Sequence, residues 1–305
     1  MKILVVSGFL GAGKTTFIEY LTRKLNNDFA ILENEYGEVG IDGDLLKNDY
    51  EKIWEMTEGC ICCSMKSNFA NSIMTISNSL DPEVLIVEPT GVGMLSAVME
   101  NIKKVEYDRI QILEPITIVD PNCIDKYTEE FGDIFNDQIK NSRFVVISKT
   151  GDKTKEEVKK SITKIKNINP KAEVYANDYD NFDEKWWKQL LEKEWLEDGV
   201  VGNSQATSEI DNIGFKNVCF QDLPSFNSYM SAIMSKRFGN IIRAKGFLPI
   251  NNKWAKMDIV GDKYSLVEIK PMEESKLIFI GSNLNKKELE ILFKDKKQRR
   301  VKKCR

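Results

Sequence analysis

Eight consecutive residues, Gly8-Phe9-Leu10-Gly11-Ala12-Gly13-Lys14-Thr15, constrain this chain more than any other stretch. They follow an apolar run, Ile3-Leu4-Val5-Val6, and precede a segment of helical periodicity from Thr16 to Leu25. A strand, a glycine-rich turn and a helix in that order build a loop whose backbone N–H groups curl around a phosphate chain. The helix N-terminus adds a favourable potential for negative charge. In such a loop Lys14 reaches the β and γ phosphates and the Thr15 hydroxyl ligates Mg²⁺, while Gly8, Gly11, Ala12, Gly13 and Thr16 line the cradle.

The rest of the first half carries the same rhythm. Apolar, β-branched runs at Ile3 to Val6, Phe29 to Leu32, Val84 to Val87, Ile116 to Val119 and Phe144 to Ile147 alternate with amphipathic segments, and a short strand is expected at Glu173 to Tyr175. Helices are expected at Thr16 to Leu25, Ser67 to Ser79, Gly93 to Ile102, Thr154 to Ile165 and Glu184 to Lys193. Alternation of this kind predicts an α/β fold with a mostly parallel sheet wrapped by helices. Between Glu197 and Asn212 the composition turns to Gly, Ser, Asn, Thr and acidic residues without apolar period, which reads as a linker. The expected organisation is therefore a P-loop domain over residues 1–198, a linker over 199–212 and a smaller α+β domain over 213–305. Its strands are placed at Gly214 to Phe220, Arg243 to Leu248, Met257 to Val260, Tyr264 to Ile269 and Leu277 to Ile280, with helices at Pro224 to Arg237 and Asn285 to Phe293.

Bulk properties remove several classes of function. No run of eighteen apolar residues exists and the N-terminal apolar run leads straight into the glycine-rich loop, so no membrane partner and a cytoplasmic location are expected. With 44 basic and 47 acidic residues the net charge is -3, which gives no reason to expect nucleic acid as a partner. The basic tail from Lys294 to Arg305 reads as a solvated end, and a monomer or homodimer is expected. The chain has no histidine, which removes the usual general base and the commonest zinc ligand together, so any metal must be held by thiolate and oxygen.

Three further segments carry chemistry. The strand Val84 to Val87 delivers Glu88-Pro89-Thr90-Gly91, and a carboxylate at that place reaches Mg²⁺ or its water shell, with Gly91 beside the phosphates; Glu88 as a simple helix cap is the alternative. Asp120, at the end of Ile116 to Val119, is a second acid in a comparable position. The run Glu33-Asn34-Glu35-Tyr36-Gly37-Glu38 opens an acidic, glycine-bearing loop suited to metal contact, or simply a solvated surface loop. Glu35 joins Lys14, Thr15 and Glu88 as a candidate catalytic residue. Cys60, Cys62 and Cys63 place three thiols within four residues, which suits one soft or borderline cation, a redox dithiol, or small side chains packing a turn. After Phe144 to Ile147 the chain reads Ser148-Lys149-Thr150-Gly151-Asp152 where GTP-binding proteins carry Asn-Lys-x-Asp, so Ser148, Lys149 and Asp152 are the base-binding candidates.

Together these residues resemble the CobW-type GTPases, with HypB and UreG as more distant relatives. Gly8 to Thr16, Glu33 to Glu38, Gly59-Cys60-Ile61-Cys62-Cys63 and Glu88-Pro89-Thr90-Gly91 stand in that family's order and spacing. Arg243-Ala244-Lys245-Gly246-Phe247-Leu248 and Ile278-Phe279-Ile280-Gly281 resemble its C-terminal domain. The resemblance implies a GTP-hydrolysing metallochaperone using GTP, Mg²⁺ and Zn²⁺, Co²⁺ or another divalent transition metal. It further implies Glu33, Glu38 and Cys62 as metal ligands, Cys60 and Cys63 as their neighbours, and a client metalloprotein or corrinoid-related protein as partner. A GTPase accessory role in cobalamin metabolism, a P-loop small-molecule kinase and a non-hydrolysing thiol or metal sensor are the competing readings. Two features depart from the family: histidine-rich metal reservoirs are absent, and the Ser148 to Asp152 loop is altered.

Overall fold

The computed structural model describes residues 1–34, 53–56, 66–105, 109–196, 210–260, 263–294 and 301–302. They form two compact units, the first running as far as Leu196 and the second starting at Ile210.

The first unit is built on β1 (Lys2–Gly8), β2 (Phe29–Asn34), β3 (Ile53–Met56), β4 (Val84–Glu88), β5 (Gln111–Ile112), β6 (Ile116–Val119), β7 (Phe144–Ile147) and β8 (Glu173–Tyr175). The sheet order is β3-β2-β4-β1-β6-β7-β8, with β5 also paired to β1 and every pairing parallel. Helices α1 (Lys14–Lys24), α2 (Lys66–Ser79), α3 (Leu95–Lys103), α4 (Ile124–Lys140), α5 (Lys155–Ile168) and α6 (Glu184–Gln189) connect and cover the strands. Strand side chains alternate between faces. Leu4 and Val6 accordingly pack with Phe17, Ile18, Leu21 and Trp187 of α1 and α6, whereas Ile3 and Val5 pack with Phe69, Ile73, Leu95 and Val98 of α2 and α3. Burial on both faces is why β1 reads as an unbroken apolar run.

Helix α4 is not among the expected helices, although Ile124, Tyr127, Phe131, Ile134 and Phe135 recur at helical spacing. It breaks its own regularity at Phe131, whose φ of -139° lies outside the helical range, and this turns the Tyr127 and Phe131 rings onto Phe9 at centroid distances of 4.2 and 5.5 Å. Helix α5 begins at a capping box in which Thr154 Oγ1 accepts from Glu157 N and Glu157 Oε2 accepts from Thr154 N at 2.8 Å. Helix α6 ends at Gln189, earlier than its periodicity suggests, with Trp186 stacked on Phe182 at 3.8 Å.

The second unit contains β9 (Ile210–Lys216), β10 (Cys219–Phe220), β11 (Asn240–Ile250), β12 (Lys253–Val260), β13 (Lys263–Glu268), β14 (Lys276–Ser282) and β15 (Val301–Lys302), with α7 (Leu223–Met234) and α8 (Lys286–Lys294). Strand β11 pairs antiparallel with β12 and β14, β12 with β13, and β14 with β9. Phe226, Tyr229 and Ile233 of α7 and Leu289 and Phe293 of α8 pack on Phe215, Leu248, Met257 and Phe279 of the sheet. This is the α+β module expected, with two differences. The run Gly214 to Phe220 is broken at Asn217, which takes φ +59° and donates its N–H to Ser275 O at 2.9 Å. Strand β9 begins three residues inside the expected linker, because Ile210 to Asn212 are paired with β14. Asn251 and Asn252, at φ +51° and +62°, supply the left-handed pair that a two-residue hairpin between β11 and β12 requires.

At the outer edge of the first sheet, Glu173 of β8 accepts from Arg143 at 2.8 Å, Lys193 at 2.9 Å and Tyr175 at 2.9 Å. Burial alone would raise the Glu173 carboxyl, but those hydrogen bonds outweigh it and hold the group at about 2. A depressed carboxyl contributes stability that is complete above its ordinary range and is lost as the pH falls towards the folded value. Glu173→Gln is therefore expected to lower Tm by about 2–4 °C at pH 7, a modest loss because the three partners are partly solvated. The gap to the wild type should close between pH ~4.5 and ~2. Thermal melts of both proteins across that range check it, and parallel curves would refute it.

Candidate functional site

The loop between β1 and α1 is shaped by glycine where no other residue fits. Gly8 (φ +142°), Gly11 (φ +74°) and Gly13 (φ +99°) all take conformations that L side chains rarely adopt, and a Cβ on Gly8 would lie 2.4 Å from Ile118 O. Ala12 N closes a turn onto Phe9 O at 3.1 Å. Gly13 is the N-cap of α1 and offers no side-chain cap, so the first-turn N–H groups are presented to a ligand. Lys14 is 7% exposed and donates from Nζ to Gly8 O at 3.0 Å, which holds the ammonium over the loop. Thr15 Oγ1 donates to both Glu88 oxygens, at 3.3 and 3.4 Å, and Thr16 is exposed. A hydroxyl and a buried carboxylate side by side form a hard oxygen pair that suits Mg²⁺.

The segment after Glu88 is wedged in place. A Cβ on Gly91 would fall 2.7 Å from Leu10 N, so the phosphate loop and the Glu88 loop meet backbone to backbone. From the other side Gln138 of α4, fully buried, donates from Nε2 to Gly91 O at 3.2 Å and to Gly93 O at 2.9 Å. Its neighbour Asp137 accepts from Ser96 N at 3.1 Å at the start of α3. Burial pushes the Asp137 carboxyl up, against the hydrogen bonds from Ser96 and Leu95. Sequence reasoning missed both residues. The available signal was a glutamine in phase with the buried Ile124, Tyr127, Phe131, Ile134 and Phe135.

The loops after β6 and β7 are tied to the phosphate loop. Ser148 is buried and donates from Oγ to Ala12 O at 2.6 Å. Lys149, at φ +52°, donates from Nζ to Gly11 O and to Asp120 Oδ2, both at 2.7 Å. Asp120, a candidate for the Mg²⁺ side in the sequence, is instead the anchor of Lys149, and its Oδ1 accepts from Asn122 N at 2.9 Å. Asp152 is exposed in a turn closed by Lys153 N on Thr150 O at 2.9 Å.

On the other flank, Glu33, the last residue but one of β2, is 4% exposed, and its register partners are Glu88 on β4 and Glu55 on β3. Three glutamates thus occupy one row across the carboxyl ends of adjacent strands. Glu35, Glu38, Cys60, Cys62 and Cys63 lie outside the described residues. Among the described residues no helix is long and apolar enough to cross a membrane.

The chain matches two family models. Residues 2–176 match the CobW/HypB/UreG nucleotide-binding domain and residues 215–296 match the cobalamin synthesis protein cobW C-terminal domain. A protein named zinc chaperone YjiA, from Escherichia coli K12, is 24% identical over 96% of this chain and 98% of its own length. Another, named zinc chaperone YeiR from the same organism, is 32% identical over 50% of this chain and 47% of its own length. A Dictyostelium discoideum protein named zinc-regulated GTPase metalloprotein activator 1 is 25% identical over 90% of this chain and 70% of its own. Among solved structures, zinc-bound YjiA GTPase from E. coli superposes with a TM-score of 0.48 at 20% identity, covering 95% of this chain and 96% of that one. With the phosphate loop formed as its sequence demands and both family models matched in order, the chain belongs to the CobW/HypB/UreG family of P-loop GTPases and carries the CobW C-terminal domain behind its nucleotide-binding domain.

Proposed function

We propose that this GTPase is a metallochaperone whose nucleotide state controls its grip on a transition metal, with Zn²⁺ as the cargo passed to a client metalloprotein. One observation carries the reading: Glu33, the first residue of the acidic run, is the register neighbour of Glu88, whose carboxylate already holds Thr15 of the phosphate loop. A change at the triphosphate therefore has one strand spacing to travel before it reaches a metal-side carboxylate. The names of the relatives, zinc chaperone and zinc-regulated activator, support the choice of metal.

In this reading Gly8, Gly11, Ala12, Gly13 and Thr16 surround the phosphates with backbone donors, and Lys14 exchanges Gly8 O for the β and γ oxygens. Thr15 and Glu88 hold Mg²⁺, which when bound supplies neutralisation of the charge that develops on those oxygens. Gly91, fixed from behind by Gln138, contributes its backbone to the γ-phosphate end, and Glu35 orients the attacking water. Ser148 and Lys149, tied to the phosphate loop, stand at the base end. Glu33, Glu38 and Cys62 hold the transition metal, with Cys60 and Cys63 beside them. Thiolate and carboxylate together are a chemically sound donor set for Zn²⁺ in a chain without histidine. Loss of the γ-phosphate frees the acidic segment that follows β2, and the metal leaves to a client docked in part on the C-terminal domain.

Phosphate release measured with and without Zn²⁺, alongside Zn²⁺ affinity measured with GDP and with a non-hydrolysable GTP analogue, tests the coupling. Cys62→Ala should weaken Zn²⁺ binding at least about tenfold and abolish the metal dependence of turnover while leaving GTP affinity intact. Lys14→Ala should cut turnover about 100-fold and erase the nucleotide dependence of Zn²⁺ affinity. Equal Zn²⁺ affinity in both nucleotide states, or in wild type and Cys62→Ala, would end the proposal. A second expectation concerns the buried tether: Gln138→Leu should keep GDP affinity within about twofold and lower kcat about tenfold, because it releases the Gly91 carbonyl without touching the phosphate loop. Unchanged kcat with a lowered Tm would reduce Gln138 to a packing residue.

A further inference from the structure

The loop after β7 lacks a side chain at the position that reads guanine in the Asn-Lys-x-Asp pattern, and a carboxylate from a neighbouring loop stands beside the gap. The acid of that pattern lies two residues after the lysine; here the lysine is Lys149 and the residue two beyond it is Gly151. Apart from its chain neighbours, the described atom that a Cβ built on Gly151 would meet within 4 Å is Asp178 Oδ1, at 4.0 Å. Thr150 Oγ1 donates to that same oxygen at 3.3 Å, which orients the carboxylate toward the vacated position. Asp178 follows β8, and β8 is the parallel neighbour of β7, so the two loops emerge side by side at the carboxyl end of the sheet. The first half of the loop is in place for a base: Lys149 and Ser148 are bonded to Gly11 O and Ala12 O of the phosphate loop.

Asp152 is the obvious rival, being an acid only one residue late. It is one of the two central residues of the Thr150–Lys153 turn, exposed, and the one-residue offset moves its Cα away from the site that Gly151 occupies. Gly151 leaves open the space that an aspartate there would fill, and Asp178 Oδ1 is the atom next to it. We propose that Asp178 is the specificity-determining residue of the GTPase, its carboxylate accepting hydrogen bonds from guanine N1–H and the 2-amino group. The inference rests on the assignment of the loop after β7 to the base end of the nucleotide site. The chemistry discriminates among purines. Hypoxanthine lacks the 2-amino donor, xanthine carries an oxygen there, and adenine presents an acceptor at N1, so each loses a hydrogen bond or meets a carboxylate with a lone pair.

The test is a competition series on the intact chain with GDP, IDP, XDP and ADP, using wild type, Asp178→Asn, Asp178→Ala and Asp152→Asn, with Lys149→Ala as a marker of the loop. The wild type should prefer GDP over IDP. Asp178→Asn should lose about 100-fold in GDP affinity and gain relative affinity for XDP, since an amide donates to the xanthine 2-oxo group. Asp178→Ala should bring the GDP to IDP ratio close to one, and both variants should bind inorganic pyrophosphate as the wild type does, which shows that the phosphate loop is folded. Asp152→Asn should keep the wild-type ranking. If the Asp178 variants keep that ranking, the proposal fails, and a shift confined to Asp152→Asn would assign the role to Asp152. Failure of the underlying site assignment looks different: Lys149→Ala would then leave GDP affinity and base ranking unchanged.

Discussion

Every feature of the candidate site descends from one close approach, that of Gly8 to the carbonyl of Ile118. The two residues are register partners of β1 and β6, and there is no room between them for a single added carbon. The contact fixes the stagger of the two central strands, and with it the height at which each delivers its loop. From β6 the chain reaches Asp120, which holds Lys149, which in turn holds Gly11 of the phosphate loop. A side chain at position 8 would displace β6 and carry that whole linkage with it. Backbone packing against a buried sheet thus does the positioning, and the start of α1, without a side-chain cap, faces the place an anionic ligand would take.

The row of glutamates at the other flank has its own electrostatic logic. Two buried carboxylates, Glu33 and Glu88, stand on adjacent strands, where like charges repel unless cations or donors offset them. Thr15 supplies one donor to Glu88, and Mg²⁺ at the same oxygens would supply far more. Charge introduced on one strand is then felt on the next across a strand spacing of about 5 Å, through buried surroundings where screening is weak. The proposed coupling between a nucleotide and a second metal would act through this adjacency and the tight seat of the Glu88 loop, and it would not require a long relay.

The strands of the first sheet could be read directly because burial on both faces leaves their apolar runs unbroken, as in Ile3 to Val6 and Val84 to Val87. The positions of the phosphate loop, Glu88 and Lys149 could be read because each follows directly on the apolar run of a strand within a few consecutive residues. Other features depend on neighbours far away in the chain. Helix α4 carried a legible apolar period in Ile124, Tyr127, Phe131, Ile134 and Phe135, but not the break at Phe131 that turns its rings onto Phe9, and β3 and β5 are too short to show alternation. The break at Asn217 exists because Ser275 O offers its N–H a partner, a fact invisible in residues 214–220 themselves. Gln138 looks like a misplaced polar residue in an apolar stripe until the Gly91 and Gly93 carbonyls are seen opposite it. Asp120 was legible as an acid at a strand end, but which cation it serves depended on where Lys149 came to rest.

A parallel sheet also explains how a role can pass between loops that are distant in sequence. All strand ends of one polarity lie along one edge, so residues 151 and 178 become neighbours although a complete helix and strand separate them. A glycine can then stand where a side chain is expected, provided the next loop along the edge fills the space, and the tight Thr150–Lys153 turn gains from a small residue at one of its central positions. The bond from Thr150 to Asp178 ties the two loops to one another, so the carboxylate is held by the loop it completes. Departure from a linear motif is therefore compatible with retention of its chemistry, and the place to look for the missing group is the adjacent strand end before the adjacent residue.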